Sequence, residues 1–202
     1  MTQPHAILQR CFIGLEPDDE ILDALIDLQH RIHGTGKHSE SGIRWIARSD
    51  LHVTLRFLGV TTDVQRVQIA DALLAASENL PAVDVNGGTY WRSTHGSHVL
   101  VLLLAMPPSL RDLASRMEAL AVAAGFLAER RPFRAHITLA KLSSRAARSP
   151  WPDIAPAGAL PACGFRALTL FSSQPATADS HSGTHYRRLA SKEISKDGYR
   201  SD

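Results

Sequence analysis

Hydrophobic positions along the chain switch repeatedly between period two and helical spacing, and the switches occur in the same order in each half. Arg10 to Leu15 has the character of a first strand. Pro17, Asp18 and Asp19 then open a helix, because proline suits a first helical turn and carboxylates suit the helix N-terminus. Ile21, Leu22, Leu25, Ile26, Leu28 and Ile32 give that helix its apolar stripe, and Gly34 and Gly36 end it. Ile43 to Ile46 predicts a short strand and Leu51 to Leu58 a longer one. Thr61 or Thr62 caps a second helix with Val64, Val67, Ala70, Leu73 and Leu74 inward, and Val83 to Trp91 returns as an extended segment made irregular by Gly87-Gly88. The second half repeats the plan. His98 to Leu104 predicts a strand, and Pro107 and Pro108 open a helix with Leu110, Leu113, Met117, Leu120 and Val122 along its apolar side. Ala135 to Leu142 is another strand. Ser143 to Pro161 predicts a loop with at most one short helix. Phe165 to Phe171 and Tyr186 to Ala190 are further strands joined by a polar turn over Ser172 to Gly183, and 195–202 is a frayed tail.

One string recurs at the same place in both halves: His52-Val53-Thr54-Leu55 and His136-Ile137-Thr138-Leu139. Side chains alternate between the faces of a strand. His52 and Thr54 therefore share one face, with Leu51, Val53, Leu55 and Phe57 on the other; His136 and Thr138 stand in the same way opposite Ala135, Ile137 and Leu139. The apolar faces belong to a core, which leaves the His/Thr faces free to line a cleft. A single such string is short enough to arise by chance, and a single strand histidine is commonly structural. Two copies in the same phase on two predicted strands bring two imidazoles and two hydroxyls to one place, an acid–base pair with hydrogen-bond donors beside it.

Composition narrows the setting. With 202 residues, 44% hydrophobic and 21% charged, the chain fits one folded domain, or a bilobed domain of two similar halves spanning 1–202. No apolar run reaches membrane-spanning length, and the N-terminus lacks the charged-then-apolar order of a signal peptide. Cys11 and Cys163 make no disulfide framework and suit a reduced, cytoplasmic setting as buried strand residues. The net charge of +2 is too small to argue for a nucleic-acid-coating protein, but Arg130, Arg131, Arg134, Lys141, Arg145 and Arg148 crowd the second His-Thr pair with no acidic residue from 130 to 152. A basic mouth beside an acid–base pair suits an anionic substrate such as a phosphate ester. No Gly-rich nucleotide loop is present, and the other histidines (His95/His98 and His181/His185 among them) lack partners to complete a metal site. The expectation is therefore no cofactor and no metal. Trp45, Trp91 and Trp151 are each candidates either for stacking on a base or for ordinary packing.

Around these residues the chain resembles the 2H phosphoesterases, and among them the RNA 2′,3′-cyclic phosphodiesterases also called 2′-5′ RNA ligases. The resemblance rests on the strings from Asp50 to Gly59 and from Arg131 to Ala140, on Leu168-Thr169-Leu170-Phe171-Ser172-Ser173, and runs from Phe12-Ile13-Gly14-Leu15 to Tyr186. Ala135 departs from the usual proline before the second histidine. Lys141 stands where many relatives carry arginine, so a bidentate phosphate contact becomes a point charge. The resemblance implies an α+β fold with two antiparallel sheets facing a central groove and helices outside. It implies hydrolysis of an RNA-terminal 2′,3′-cyclic phosphodiester to a 2′-phosphomonoester, with His52 the proton donor and His136 the base. Thr54, Thr138, Arg134 and Lys141 would hold the phosphate. The expected partners are RNA ends or nucleotides carrying the cyclic phosphate, met by a monomer with no protein partner and no membrane. The alternatives are 2′-5′ RNA ligation and a nucleotide- or RNA-binding module without turnover; intact histidines at both motifs argue against the last.

Overall fold

A computed structural model describes residues 8–34, 42–76, 79–92, 98–148, 159–175 and 184–194. The chain runs β1 (Gln9–Pro17), α1 (Asp19–Gly34), β2 (Ile43–Trp45), β3 (Val53–Thr61), α2 (Asp63–Ala75), β4 (Val85–Arg92), β5 (His98–Leu104), α3 (Pro108–Ala123), β6 (His136–Leu142), β7 (Phe165–Pro175) and β8 (Thr184–Glu193). The α+β prediction holds. Pro17 closes β1 instead of opening α1; Asp18 accepts from the Ile21 N–H at 3.2 Å and is the residue that starts the helix. At α2 the capping threonine is Thr62, in a reciprocal pair with Gln65.

The strands form one curled antiparallel sheet in the order β4-β5-β6-β3-β1-β7-β8, with β2 also paired to β6. Its two halves, β1, β3, β7 and β8 on one side and β2, β4, β5 and β6 on the other, meet at the Val53↔Ile137 pair. The two sheets expected from sequence are thus joined along one seam. The duplication is also exchanged between the halves. After the first motif strand the chain crosses over and β4 pairs with β5 of the second half; after the second, β7 pairs with β1 of the first. The crossovers touch where Val83 and Cys163 exchange backbone hydrogen bonds of 3.0 and 2.7 Å. Cys163 is fully buried there, and burial pushes its thiol far up, as expected of a structural cysteine.

One face of the sheet carries the helices and the core. Ile13 and Leu15 of β1, Val53 of β3, Leu100 and Leu102 of β5, Ile137 and Leu139 of β6, and Leu168 and Leu170 of β7 are buried there with Leu22 and Leu25 of α1, Ile69 and Leu73 of α2, and Leu110 and Leu113 of α3. The inward face of α2 is narrower than predicted: Val64, Val67 and Leu74 are exposed, and burial falls on Ile69 and Leu73. Arg66 turns toward the sheet, donating to the Thr61 carbonyl at 2.9 Å, on the same side of the helix as Ile69 and Leu73. Val122 near the end of α3 is likewise exposed. Strand β7 runs through Ser172 and Gln174, which had suggested a turn, because both pair with β8. Among the described residues no helix is long and apolar enough to cross a membrane.

Candidate active site

Because Val53 pairs with Ile137 in an antiparallel ladder, the residues before and after them oppose each other: His52 stands across from Thr138, and Thr54 across from His136. Directly opposed residues share a face. The four polar side chains of the two motifs are therefore brought together on the face away from the helices, around a local twofold axis at the seam.

Both imidazoles are held alike. His52 Nδ1 lies 2.7 Å from the Asp50 carbonyl and His136 Nδ1 lies 2.8 Å from the Arg134 carbonyl. A carbonyl can only accept, so each Nδ1 carries the hydrogen and each Nε2 is left for chemistry. His52 Nε2 is 3.0 Å from Thr54 Oγ1; with the imidazole neutral, the threonine donates this bond.

The surroundings then differ. His52 packs among Phe12, Tyr186 and Phe171, with ring centroids 4.7, 4.9 and 5.8 Å away. Burial is the main reason its pKa falls to about 4; the Asp50 carbonyl opposes the fall, and the charges of His136 and Lys141 add to it. His136 is lowered too, first by burial and then by the Arg134 charge, against the pull of the Arg134 carbonyl. Its ring lies 4.6 Å from that of Trp91, and the Arg134 guanidinium sits 4.5 Å from the centre of the same indole.

Strict alternation fails just beyond each motif, and the failure shapes the site. In β3 the register with β1 slips so that Ile13 opposes Arg56 while Gly14 opposes Thr54, leaving Leu55 as an extra residue. In β6 the register with β5 slips between Ala140 and Thr138, leaving Leu139 extra. Each bulge puts two successive residues inward and moves the next onto the other face. Phe57 is consequently 60% exposed, where simple alternation placed it in the core. Lys141 reaches the His/Thr face by the same device. Phe57 and Lys141 occupy equivalent positions in the two halves, so the motifs are symmetric in their histidines and threonines and unlike beyond them.

A cleft of about 1040 Å³ opens on the His136 side, lined by Thr54, Phe57, Trp91, Phe133, Arg134 and His136 among others. Its two carboxylates are engaged by arginines: Glu118 pairs with the buried Arg56, and Glu129 is held at a pKa of about 2 by the side chain of Arg131. Arg56 also donates to the Phe57 and Leu127 carbonyls, pinning the segment that leads into β6. On the His52 side stand Lys141 and Asp50. Asp50 is buried and its carboxyl is raised chiefly by that burial; its Oδ1 accepts from the Tyr186 N–H at 3.3 Å, and His185 Nδ1 is 3.5 Å from its Oδ2.

All six residues expected to act, His52, His136, Thr54, Thr138, Arg134 and Lys141, lie on or beside this face. Of the basic cluster, Arg131 is spent on Glu129 at 3.2 Å. Trp91 joins the site, whereas Trp45 is turned to the helices, edge-on to His33 at 6.5 Å; Trp151, His95 and His181 lie outside the described residues. Phe12, Phe171 and Tyr186 were not anticipated. Their one sequence signal is phase: Phe12, Gly14 and Glu16 alternate with the core residues Ile13 and Leu15. Glu16 completes that face; burial raises its carboxyl, but hydrogen bonds from Arg188, Thr169 and Arg166 outweigh this and hold it below the ordinary range.

Residues 15–101 match the family model described as LigT like Phosphoesterase. Escherichia coli LigT, in a crystal structure complexed with 3′-AMP, is similar over 94% of this chain and 99% of its own, with 26% identity and a TM-score of 0.70. A protein whose crystal structure is described as a phosphoesterase is similar over 93% and 99%, at 25% identity and a TM-score of 0.70. A Thermus thermophilus protein shares the fold over 92% and 97%, at 21% identity and a TM-score of 0.64. The chain thus matches the LigT-like phosphoesterase model over residues 15–101 and is similar to these solved structures over nearly its whole length, with the paired His-x-Thr strands at the centre of the shared fold.

Proposed function

We propose that the protein hydrolyses the terminal 2′,3′-cyclic phosphodiester of RNA to a 2′-phosphomonoester, with His52 as proton donor and His136 as base. The observation that carries this reading is the pair of imidazoles held by matching Nδ1–carbonyl bonds, so that no backbone carbonyl occupies either Nε2, on one face with a threonine across from each. Such hydrolysis needs a base and an acid on opposite sides of phosphorus. His136 Nε2 takes a proton from water as the water oxygen bonds to phosphorus. The bond from phosphorus to the ribose 3′-oxygen breaks, and His52 Nε2 gives its proton to that oxygen. Thr54 and Thr138 donate to the non-bridging oxygens as charge builds there. Lys141 adds positive charge beside His52.

The drop of the His52 pKa to about 4 has a consequence for this scheme. Free His52 is neutral near pH 7, with Thr54 donating to it. The phosphodiester anion supplies the charge that lets His52 hold a proton, and protonation turns Nε2 into a donor and releases the Thr54 hydroxyl to the phosphate. The cleft beside His136, with Phe57, Trp91 and the Arg134 plane, suits the flat face of a nucleobase. The 3′-AMP complex of the Escherichia coli relative supports a nucleotide in this groove.

The test is turnover of a nucleoside 2′,3′-cyclic phosphate and of an oligonucleotide ending in one, in excess chelator, with the product isomer identified by phosphorus NMR. The 2′-phosphate is the expected product of both. Absence of turnover on both substrates would leave a nucleotide-binding module in place of an enzyme.

A further inference from the structure

Beyond Lys141 the His/Thr face of the sheet continues onto β2, which pairs with β6. Arg44 of β2 is directly opposite Lys141 of β6. Its neighbours Ile43 and Trp45 pack on the helix side, so Arg44, which is exposed, shares the His/Thr face with Lys141. Two cations are thus set directly across a strand pair, an arrangement that costs stability when nothing offsets it. Among the described residues no carboxylate makes a hydrogen bond or ion pair with either. The nearest acidic influence is Asp50, which attracts Lys141 only at a distance and is itself pushed toward its neutral form by burial. A like-charge pair on this face, without an ion-pair partner of its own, favours the binding of an anion.

Position says which anion. Along β6, His52 stands across from Thr138 and Arg44 across from Lys141, with the bulged Leu139 between. At about 3.3 Å per residue this puts Arg44 roughly 7–10 Å along the strand from the level of His52. That is too far to share the oxygens that Thr54 and Thr138 face, and it lies on the side away from the Trp91 cleft. We propose that Arg44, with Lys141, forms a second anion subsite that binds the phosphodiester adjoining the terminal nucleotide, so that the protein distinguishes an RNA end from a free cyclic mononucleotide. This inference rests on the proposed function. Arg44 supplies the planar two-pronged donor that Lys141 lacks.

The experiment compares kcat/KM for a 2′,3′-cyclic mononucleotide with that for a dinucleotide carrying the same terminal cyclic phosphate, in wild type, Arg44→Gln and Arg44→Lys. Wild type is expected to favour the dinucleotide about tenfold or more, mainly through KM. Arg44→Gln should bring the ratio near one and reduce the salt slope of log KM for the dinucleotide by about 0.7, the share of one single-strand phosphate. Arg44→Lys should keep part of the preference. A wild-type ratio near one, or an Arg44→Gln ratio equal to that of wild type, would overturn the subsite even if both rates fall together. If wild type turned over neither compound, the proposed function itself would fail instead.

Discussion

Lowering the pH should destabilise this protein through His52 before the lowered carboxylates Glu16 and Glu129 titrate. The ring is enclosed by Phe12, Phe171 and Tyr186, and burial takes its pKa from the ordinary 6.5 to about 4. The unfolded chain therefore binds a proton near pH 6.5 that the folded chain refuses until about pH 4. Stability from this group is complete above about pH 7, declines as the pH falls through 6.5, and is gone below the folded value. The full shift corresponds to about 3 kcal/mol, of which about 2 kcal/mol is lost between pH 7 and pH 5. Glu129 and Glu16, whose folded values are lowered, begin to cost stability only below about pH 4.5, outside that window. Urea unfolding at pH 7 and pH 5 gives the measurement, with His52→Asn as the reference because its amide can still donate to the Asp50 carbonyl. For a slope of about 2 kcal/mol per molar, the wild-type midpoint should fall by about 1 M more than that of the variant. Equal losses in the two proteins would show that His52 titrates normally in the fold, and the dry-histidine basis for substrate-coupled protonation would go with it.

The same two depressed histidines set the rate profile: kcat/KM, which reports the free enzyme, should have its optimum below pH 6.5, and kcat should peak higher because the bound anion raises both groups. His52→Ala and His136→Ala should each lower kcat by roughly 10² to 10⁴, and the double variant should lose far less than the product, since both act in one step. A single variant with near-normal kcat would exclude the two-histidine mechanism. Thr54→Val and Thr138→Val keep the branched strand shape and delete the donor. Each should lower kcat more than it raises KM, by up to about 2.7–4 kcal/mol in a dry site, and unchanged kcat at both would leave the phosphate oxygens without these donors.

The helix–strand order and the four motif residues were readable from periodicity because each rests on a local pattern. His52 and Thr54 depend only on alternation along a few residues with a core on one side, and Ala135, Ile137 and Leu139 are indeed buried opposite His136 and Thr138. Phe57 was placed wrongly because a bulge is a property of two paired strands: Leu55 is extra only relative to β1, which lies forty residues earlier in the chain. The same holds for Lys141, whose presence on the His/Thr face depends on Leu139 being extra relative to β5. The α2 stripe misled for a related reason. Val64 and Val67 are spaced for burial, but the side of the helix that meets the sheet carries Ile69 and Leu73, with Arg66 bonded to the Thr61 carbonyl, and that choice depends on the sheet and not on the helix alone. Arg44 was invisible as a functional residue because a three-residue strand carries no periodicity of its own, and its meaning appears only when β2 is seen against β6.

The exchange of β4 and β7 between the halves has a consequence for the chain as a whole. Although the sequence repeats, neither repeat owns a complete sheet. A first-half fragment holds β4 without its partner β5 if the cut falls before His98, and residues 1–105, cut after Leu104, hold β5 without β6. In both cases β1 loses β7, which flanks it along its whole length opposite β3. The seam that assembles the two histidines rests on the single Val53↔Ile137 pair, so it depends on the exchanged strands and the Val83–Cys163 crossover contact to hold the halves in place. A sheet cut in this way exposes long unpaired edges and the apolar faces of Leu100, Leu102, Leu168 and Leu170, conditions that favour aggregation over folding. Fragments 1–105 and 106–202 are therefore expected to be insoluble or without cooperative unfolding when produced singly, and to recover a cooperative transition and catalytic turnover when produced together. Two cooperative transitions from the separate fragments, each matching a step in the unfolding of the whole chain, would mean that the halves are independent domains and that the active site is merely their contact.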